Sequence, residues 1–140
     1  MILYADTSAL FKLVVAEDGS QQMEQAWITA DSVLAASIGY VELRSAVAAA
    51  RRANRISSVD YQDRVAALDQ VWNSVSEIAV DHALLRTAGD VAERMALRGY
   101  DAVHLAALLR TGIAGEVSLA SWDMDLRRAA AQLGYSLIPV

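Results

Sequence analysis

The first ten residues place the strongest constraint on the fold. An apolar run of strand length, Ile2–Ala5, stops at Asp6, and two hydroxyl residues, Thr7 and Ser8, follow. A short apolar run of this kind predicts a buried strand, and the carboxylate then lies at its carboxyl end. Ligands of open α/β sheets bind beyond the carboxyl ends of the strands, so we expect Asp6 to face a crevice.

The rest of the chain alternates between strand-like and helix-like segments. Such alternation predicts parallel strands joined by helical crossovers. With one proline and 55% hydrophobic residues in 140, residues 1–140 are expected to form one domain. The predicted fold class is α/β, a three-layer domain with a mostly parallel five-stranded sheet flanked by helices. The predicted strands are Ile2–Ala5, Ser32–Ala35, Glu77–Val80, Val117–Ala120 and Ser136–Ile138.

Three further acids occur at boundaries between these segments. Glu42 lies near the start of a helix predicted from about residue 37 to about residue 53. Asp101 precedes the segment 102–109, which is apolar almost all round and therefore typical of a buried helix, and we expect Asp101 to be its N-cap. Asp123 begins a helix shortly after the fourth strand.

Composition limits the kinds of site that these acids can form. The chain has no cysteine and two histidines, so a metal would be held by oxygen ligands, which suits Mg²⁺, Mn²⁺ or Ca²⁺. A net charge of −5 argues against generic nucleic-acid binding, but eleven of the twelve basic residues are arginines, which suit bidentate phosphate contacts. No apolar stretch approaches the roughly 18–20 residues that span a bilayer, and we expect a cytoplasmic protein with no membrane contact.

Each acid taken alone has a structural explanation. Asp6, Asp101 and Asp123 can all cap helices, and Glu42 can pair with a neighbouring arginine. Taken together they can converge at one edge of the sheet, where four carboxylates would repel one another unless a divalent cation were bound. We therefore predict an Mg²⁺ or Mn²⁺ site with Asp6, Asp101 and Asp123 as ligands.

The remaining roles in that site follow from side-chain chemistry. Glu42 is either a further ligand or the group that orients the attacking water, and we class all four acids as catalytic candidates. Ser8 and Ser121 would each hydrogen-bond a carboxylate and hold its orientation. Asp125 is a second candidate at the last corner, but Asp123 lies nearer the end of the strand. His104 is expected to be a packed core histidine rather than a ligand or base.

Four motifs together resemble the PIN-domain family, and within it the VapC toxins of bacterial toxin–antitoxin pairs. They are Tyr4–Leu10, Val41–Arg44, Tyr100–Ala106 and Ala120–Asp123. The resemblance covers nearly the whole chain in order. It implies a magnesium- or manganese-dependent endoribonuclease acting on cellular RNA, a homodimer, and a VapB-like antitoxin whose tail blocks the acidic pocket. Members often have threonine where this chain has Ser121, a change that keeps the hydroxyl.

Several residues outside the acids are candidates for RNA contact. An arginine cluster lies at the tip of a predicted helical hairpin, where it can contact phosphates or simply favour a solvated helix end. Trp122 is adjacent to Asp123 and can stack on a base. The candidates are Arg44, Arg51, Arg52, Arg55 and Trp122.

Two other classes of function compete with a nuclease. A receiver-like or phosphoryl-transfer α/β domain would accept phosphate on an aspartate after a strand. Such sites usually need a second acid beside the first or a lysine after a late strand, whereas Asp6 is followed by Thr7 and the only lysine is Lys12. A non-catalytic interaction module would keep the fold without needing the full set of acids.

Overall fold

The computed structural model describes all 140 residues, which form five strands and seven helices. The sheet has the order β3-β2-β1-β4-β5, and every pair of neighbours is parallel. The strands are β1 (Ile2–Ala5), β2 (Ser32–Ala36), β3 (Ser76–Ile78), β4 (Val117–Ala120) and β5 (Ser136–Ile138). The helices are α1 (Thr7–Val14), α2 (Ser20–Thr29), α3 (Ile38–Arg52), α4 (Ser58–Asn73), α5 (His82–Met95), α6 (Gly99–Thr111) and α7 (Met124–Gln132).

β1 is the central strand, and its side chains alternate between two cores. Leu3 and Ala5 pack into the cluster formed with α1 to α4, whereas Tyr4 packs into the cluster formed with α5, α6 and α7. A parallel strand covered on both faces needs apolar residues at every position. The three-layer architecture predicted from the sequence is confirmed, and the sheet is wholly rather than mostly parallel.

The register of the sheet brings two strand ends together. Ala5 of β1 pairs with Ala120 of β4, so the residues that follow them, Asp6 and Ser121, leave the sheet side by side. The backbone N–H of Asp6 donates to the carbonyl of Ala120 over 3.2 Å. The carboxyl edge of β1 and β4 is therefore where distant parts of the chain meet.

Helix α6 is the buried helix that the apolar segment predicts. Every residue from Asp101 to Leu108 is buried, and α6 packs extensively against α5. A helix with apolar residues on all sides must be covered on all sides to be stable. No helix of this structure combines the length and the apolar character that crossing a membrane requires.

The start of α6 differs from the prediction. The N-cap is Arg98, with an extended backbone (φ −64°, ψ 156°), and Asp101 lies in the first turn. The predicted N-cap role of Asp101 is therefore wrong. The physical reason is that Gly99 and Tyr100 already adopt helical geometry, so the carboxylate of Asp101 is free to bind a side chain instead of the backbone. β3 also begins one residue earlier than predicted and ends at Ile78.

Candidate active site

A cavity of about 310 Å³ opens at the carboxyl edge of β1 and β4. Its wall contains all four acids predicted from the sequence, contributed by the end of β1, α3, α6 and the start of α7. The lining residues are Asp6, Thr7, Ser8, Glu42, Arg98, Tyr100, Asp101, His104 and Asp123.

Asp6 directly follows β1 in the wall of the cavity and is buried, with 4% of its surface exposed. Its Oδ1 accepts hydrogen bonds from Ser8 Oγ (2.6 Å) and the Ala9 amide (3.0 Å), and its Oδ2 accepts from Ser121 Oγ (2.6 Å). Asp6 is thus both the N-cap of α1 and a residue of the cavity. Burial raises the pKa of Asp6, against the charge of His104 and the bonds from the two serines.

The two serines also join the end of β1 to the end of β4. Ser121 Oγ accepts from the Asp123 amide over 3.0 Å, and Ser8 Oγ accepts from the Trp122 amide over 2.8 Å. Each hydroxyl therefore donates to Asp6 and accepts from the chain after β4. This arrangement has the contacts expected of residues that hold a carboxylate in place.

Asp101 and Asp123 line the same cavity as Asp6 and share one guanidinium. Arg98 Nε donates to Asp101 Oδ2 (3.1 Å), and Arg98 Nη2 donates to Asp123 Oδ2 (3.3 Å). Burial and the charge of Asp123 raise the pKa of Asp101, although Arg98 opposes this. Sequence reasoning did not single out Arg98. Its only signal was the spacing of three residues before Asp101, which places the two side chains together at a helix start.

Glu42 is held by residues from two other elements. His104 Nε2 lies 2.7 Å from Glu42 Oε1, and Thr7 Oγ1 donates to the same oxygen over 2.9 Å. The other ring nitrogen of His104, Nδ1, lies 2.8 Å from the hydroxyl of Tyr4. Burial works to raise the pKa of Glu42, but the bond and charge of His104 bring it below its ordinary value.

His104 is buried, as predicted, with 4% of its surface exposed. Burial disfavours its charged form, yet the bond to Glu42 and the charge of Asp6 raise its pKa above 6.5. The sequence prediction did not foresee its contact with Glu42. A usable signal was its position three residues after Asp101, which places both side chains on one face of α6.

A second grouping of acids includes Asp125. Carboxylate oxygens of Asp101, Asp123 and Asp125 lie within 4.8 Å of one another. Asp125 is exposed, lies in the first turn of α7, and accepts from Arg128 over 3.3 Å. Asp123 is the N-cap of α7, and Asp125 does not line the cavity. Of the two acids, only Asp123 therefore lines the cavity together with Asp6.

The candidate RNA contacts lie outside the acidic cavity. Arg44 donates to the hydroxyl of Tyr40 over 3.0 Å, and Arg55 donates to Glu17 over 2.8 Å. Arg51 lies 4.6 Å from the ring centre of Tyr61, and Arg52 is exposed at the end of α3. Two of the candidates, Arg55 and Trp122, line a neighbouring groove that shares Thr7 and Ser8 with the cavity.

Gly19 has no side chain and so leaves room for the ring of Trp122 beside the site. Its φ of +92° lies in the left-handed region, and a Cβ there would fall 2.7 Å from Trp122 Nε1. We expect Gly19→Ala to lower the free energy of unfolding by about 2 kcal/mol, from left-handed backbone strain plus the displaced ring. Urea unfolding with tryptophan fluorescence measures this. Gly89→Ala is the matched control, because nothing lies within 4 Å of that position in α5 and helix propensity should make it neutral or stabilising. Equal effects of the two substitutions would contradict the prediction.

The sequence has relatives among characterised proteins. The family model for the PIN domain matches residues 3–132. Ribonucleases VapC45 and VapC49 of Mycobacterium tuberculosis are each 33% identical to the chain over 138 residues, which cover 99% of this chain and 95% of each relative.

Solved structures show the same fold at lower identity. PAE2754 from Pyrobaculum aerophilum superposes with a TM-score of 0.73 at 18% identity, covering 99% of this chain and 85% of that one. VapC20 of Mycobacterium tuberculosis, described as a sarcin-ricin loop cleaving toxin, gives 0.68 at 17%, covering 91% and 94%. VapBC2 from Rickettsia felis, bound to a DNA fragment from its promoter, gives 0.64 at 14%, covering 98% and 97%. The chain therefore belongs to the PIN-domain family and, within it, groups with the VapC ribonucleases.

Proposed function

We propose that this protein is a VapC-type toxin, an endoribonuclease that hydrolyses RNA phosphodiester bonds with the aid of a divalent cation. One observation carries the proposal: four carboxylates, far apart in sequence, line one cavity at the carboxyl edge of the sheet. The nearly full-length match to VapC ribonucleases supports the reaction class.

The residues around the cavity fit a divalent ion. The wall offers carboxylate and hydroxyl oxygens, which Mg²⁺ and Mn²⁺ prefer. The raised pKa values of Asp6 and Asp101 reflect a cost of keeping carboxylates charged there, and a bound cation would remove that cost. We assign Asp6, Asp101 and Asp123 as its ligands. When bound, the ion would lower the pKa of the attacking water and stabilise the leaving oxygen.

The protein's own side chains orient the acids. Ser8 and Ser121 hold the carboxylate of Asp6, whereas Thr7 and His104 hold one oxygen of Glu42. The lowered pKa of Glu42 keeps it ionised, so its second oxygen can accept a proton from water or add a ligand. Glu42 is proposed as the residue that orients the nucleophile.

We extend the proposal to the partners of the protein. The substrate is RNA, the inhibitor is a VapB-like antitoxin, and the toxin is a homodimer that acts in the cytoplasm, where cellular RNA is translated. The support for an antitoxin is that toxin–antitoxin complexes such as VapBC2 contain this fold.

The test is cleavage of total RNA by the metal-stripped protein. We expect cleavage with added Mg²⁺ or Mn²⁺, none in EDTA, and recovery when metal is added in excess. Asp6→Asn protein purified in parallel reports contaminating nucleases. A receiver-like domain would leave RNA intact and take label from a small phosphodonor. A non-catalytic module would do neither, and either result would refute the proposal.

A further inference from the structure

Arg98 is the only lysine or arginine on the wall of the acidic cavity. Its guanidinium bridges carboxylates from two elements, Asp101 in α6 and Asp123 at the start of α7. It contacts the Oδ2 atom of each, over 3.1 Å and 3.3 Å. A planar guanidinium has donors on two edges, so one side chain can bind both acids at once.

We propose that Arg98 is a built-in competitor of the divalent cation, occupying the Oδ2 atoms of Asp101 and Asp123 in the metal-free protein and leaving them when the ion binds. This inference rests on the proposed function, because it concerns the same site. Carboxylate oxygens of Asp101 and Asp123 lie within 4.8 Å of each other, so without Arg98 their two like charges would stand unneutralised. Arg98 stabilises the metal-free cavity by neutralising part of this charge. Metal binding then requires the loss of its two ion pairs.

The position of Arg98 makes this exchange feasible. Its side chain is 75% exposed, and its only side-chain hydrogen bonds are those to the two acids. The guanidinium of both ion pairs is largely exposed to water, which weakens them, so a divalent cation can displace them. Arg98 precedes α6 in an extended backbone conformation, and movement of its side chain requires no change in the helix. The consequence is a higher metal concentration for half-occupancy than the acids alone would need.

The test is Mn²⁺ binding to the metal-stripped, RNA-free protein. Binding is measured by calorimetry or by the loss of the free-ion signal in electron paramagnetic resonance. We expect Arg98→Ala and Arg98→Gln to bind Mn²⁺ about twofold to fivefold more tightly than the native protein, the range that exposed ion pairs allow. Arg98→Lys should be intermediate, because an ammonium group cannot span both carboxylates in the same way.

Arg94→Ala is the matched control. It removes the same charge from an exposed position in α5, four residues earlier in the chain and outside the cavity. Tighter binding caused merely by a more negative protein would be equal in the two alanine variants. Equal affinities, or weaker binding by Arg98→Ala, would overturn the inference. Circular dichroism of each variant verifies that it is folded.

A direct readout is the Nε–H resonance of Arg98 in ¹⁵N-labelled protein, assigned by its disappearance in Arg98→Gln. On titration with Mg²⁺ this signal should move toward that of a solvated arginine. A signal that stays in place while Mg²⁺ binds would contradict the exchange.

If the native protein binds no divalent ion and does not cleave RNA, the proposed function itself fails. If it binds and cleaves but Arg98→Ala matches Arg94→Ala, only the inference about Arg98 fails.

Discussion

Asp6→Asn should reduce RNA cleavage by about 10²–10³-fold while leaving the protein at least as stable as the native one. Loss of a carboxylate ligand removes several kcal/mol of transition-state stabilisation, and each 1.36 kcal/mol corresponds to about a tenfold change in rate. Stability should not fall, because burial raises the pKa of Asp6. An ionised group whose pKa is raised on folding destabilises the folded state above that pKa, and a neutral amide avoids the cost.

The measurement pairs initial cleavage rates in Mn²⁺ with thermal unfolding in EDTA. Asparagine can still accept from the Ala9 amide and preserve the N-cap of α1, and the hydroxyls of Ser8 and Ser121 can rotate to suit an amide. Asp90→Asn, an exposed change in α5, is the control for both assays. Substantial activity in Asp6→Asn, or marked destabilisation, would show that Asp6 serves the fold rather than the chemistry.

His104→Ala should be the most destabilising single change near the site, by about 2–4 kcal/mol. The substitution leaves a cavity in the core and removes the partner of the fully buried Tyr4 hydroxyl. It also frees Glu42 from one of its two contacts, and loss of such a supporting bond typically costs about tenfold to 100-fold in activity. Chemical denaturation in EDTA measures the first effect.

His104→Gln separates packing from positioning. Glutamine fills most of the space and can bond either Tyr4 or Glu42, so stability should recover more than activity does. Because His104 acts through Glu42, the turnover number should fall while the KM for RNA stays close to native. A higher KM with an unchanged turnover number, or full activity in His104→Gln, would contradict a positioning role for this histidine.

The contact between His104 and Glu42 predicts a pH window for stability. The folded-state pKa of Glu42 is below 4.5, so its contribution is complete above 4.5 and is lost as the pH falls through the lower value. The folded-state pKa of His104 is above 6.5, so its contribution is complete below 6.5 and is lost as the pH rises through the higher value. The stability difference between native protein and His104→Gln should therefore be largest between 4.5 and 6.5. A difference that does not change with pH would rule out a charged pair.

Much of the fold follows from local pattern. Ile2–Ala5 is apolar at every position because β1 is covered on both faces, and this made the strand recognisable without any partner. The buried helix α6 was recognisable in the same way. Boundaries that depend on capping were harder to predict. Asp101 has a good capping side chain, yet Arg98 holds the N-cap position because Gly99 and Tyr100 already lie within the helix.

The residues of the candidate site were likewise predictable only in part. Its four acids could be predicted because each stands at the end of a strand or near the start of a helix, and parallel strands bring such positions to one edge. Hydrogen bonds from Ser8 and Ser121 to a carboxylate were predicted from the chemistry of their hydroxyls, and the structure places both on Asp6. Neither Arg98 nor the contact of His104 with Glu42 was foreseen, since apolar spacing describes which face a residue occupies and not which group it meets.

The sequence by itself determined the order of strands and helices, the parallel sheet and the positions at which carboxylates interrupt apolar segments, because periodicity and strand ends are local properties of the chain. Only the tertiary structure decided which partner each carboxylate has. Ser121 reaches Asp6 across 115 residues, and His104 reaches Glu42 across 62. Contacts over such separations depend on register and helix packing, and these are set by the whole core rather than by any one segment.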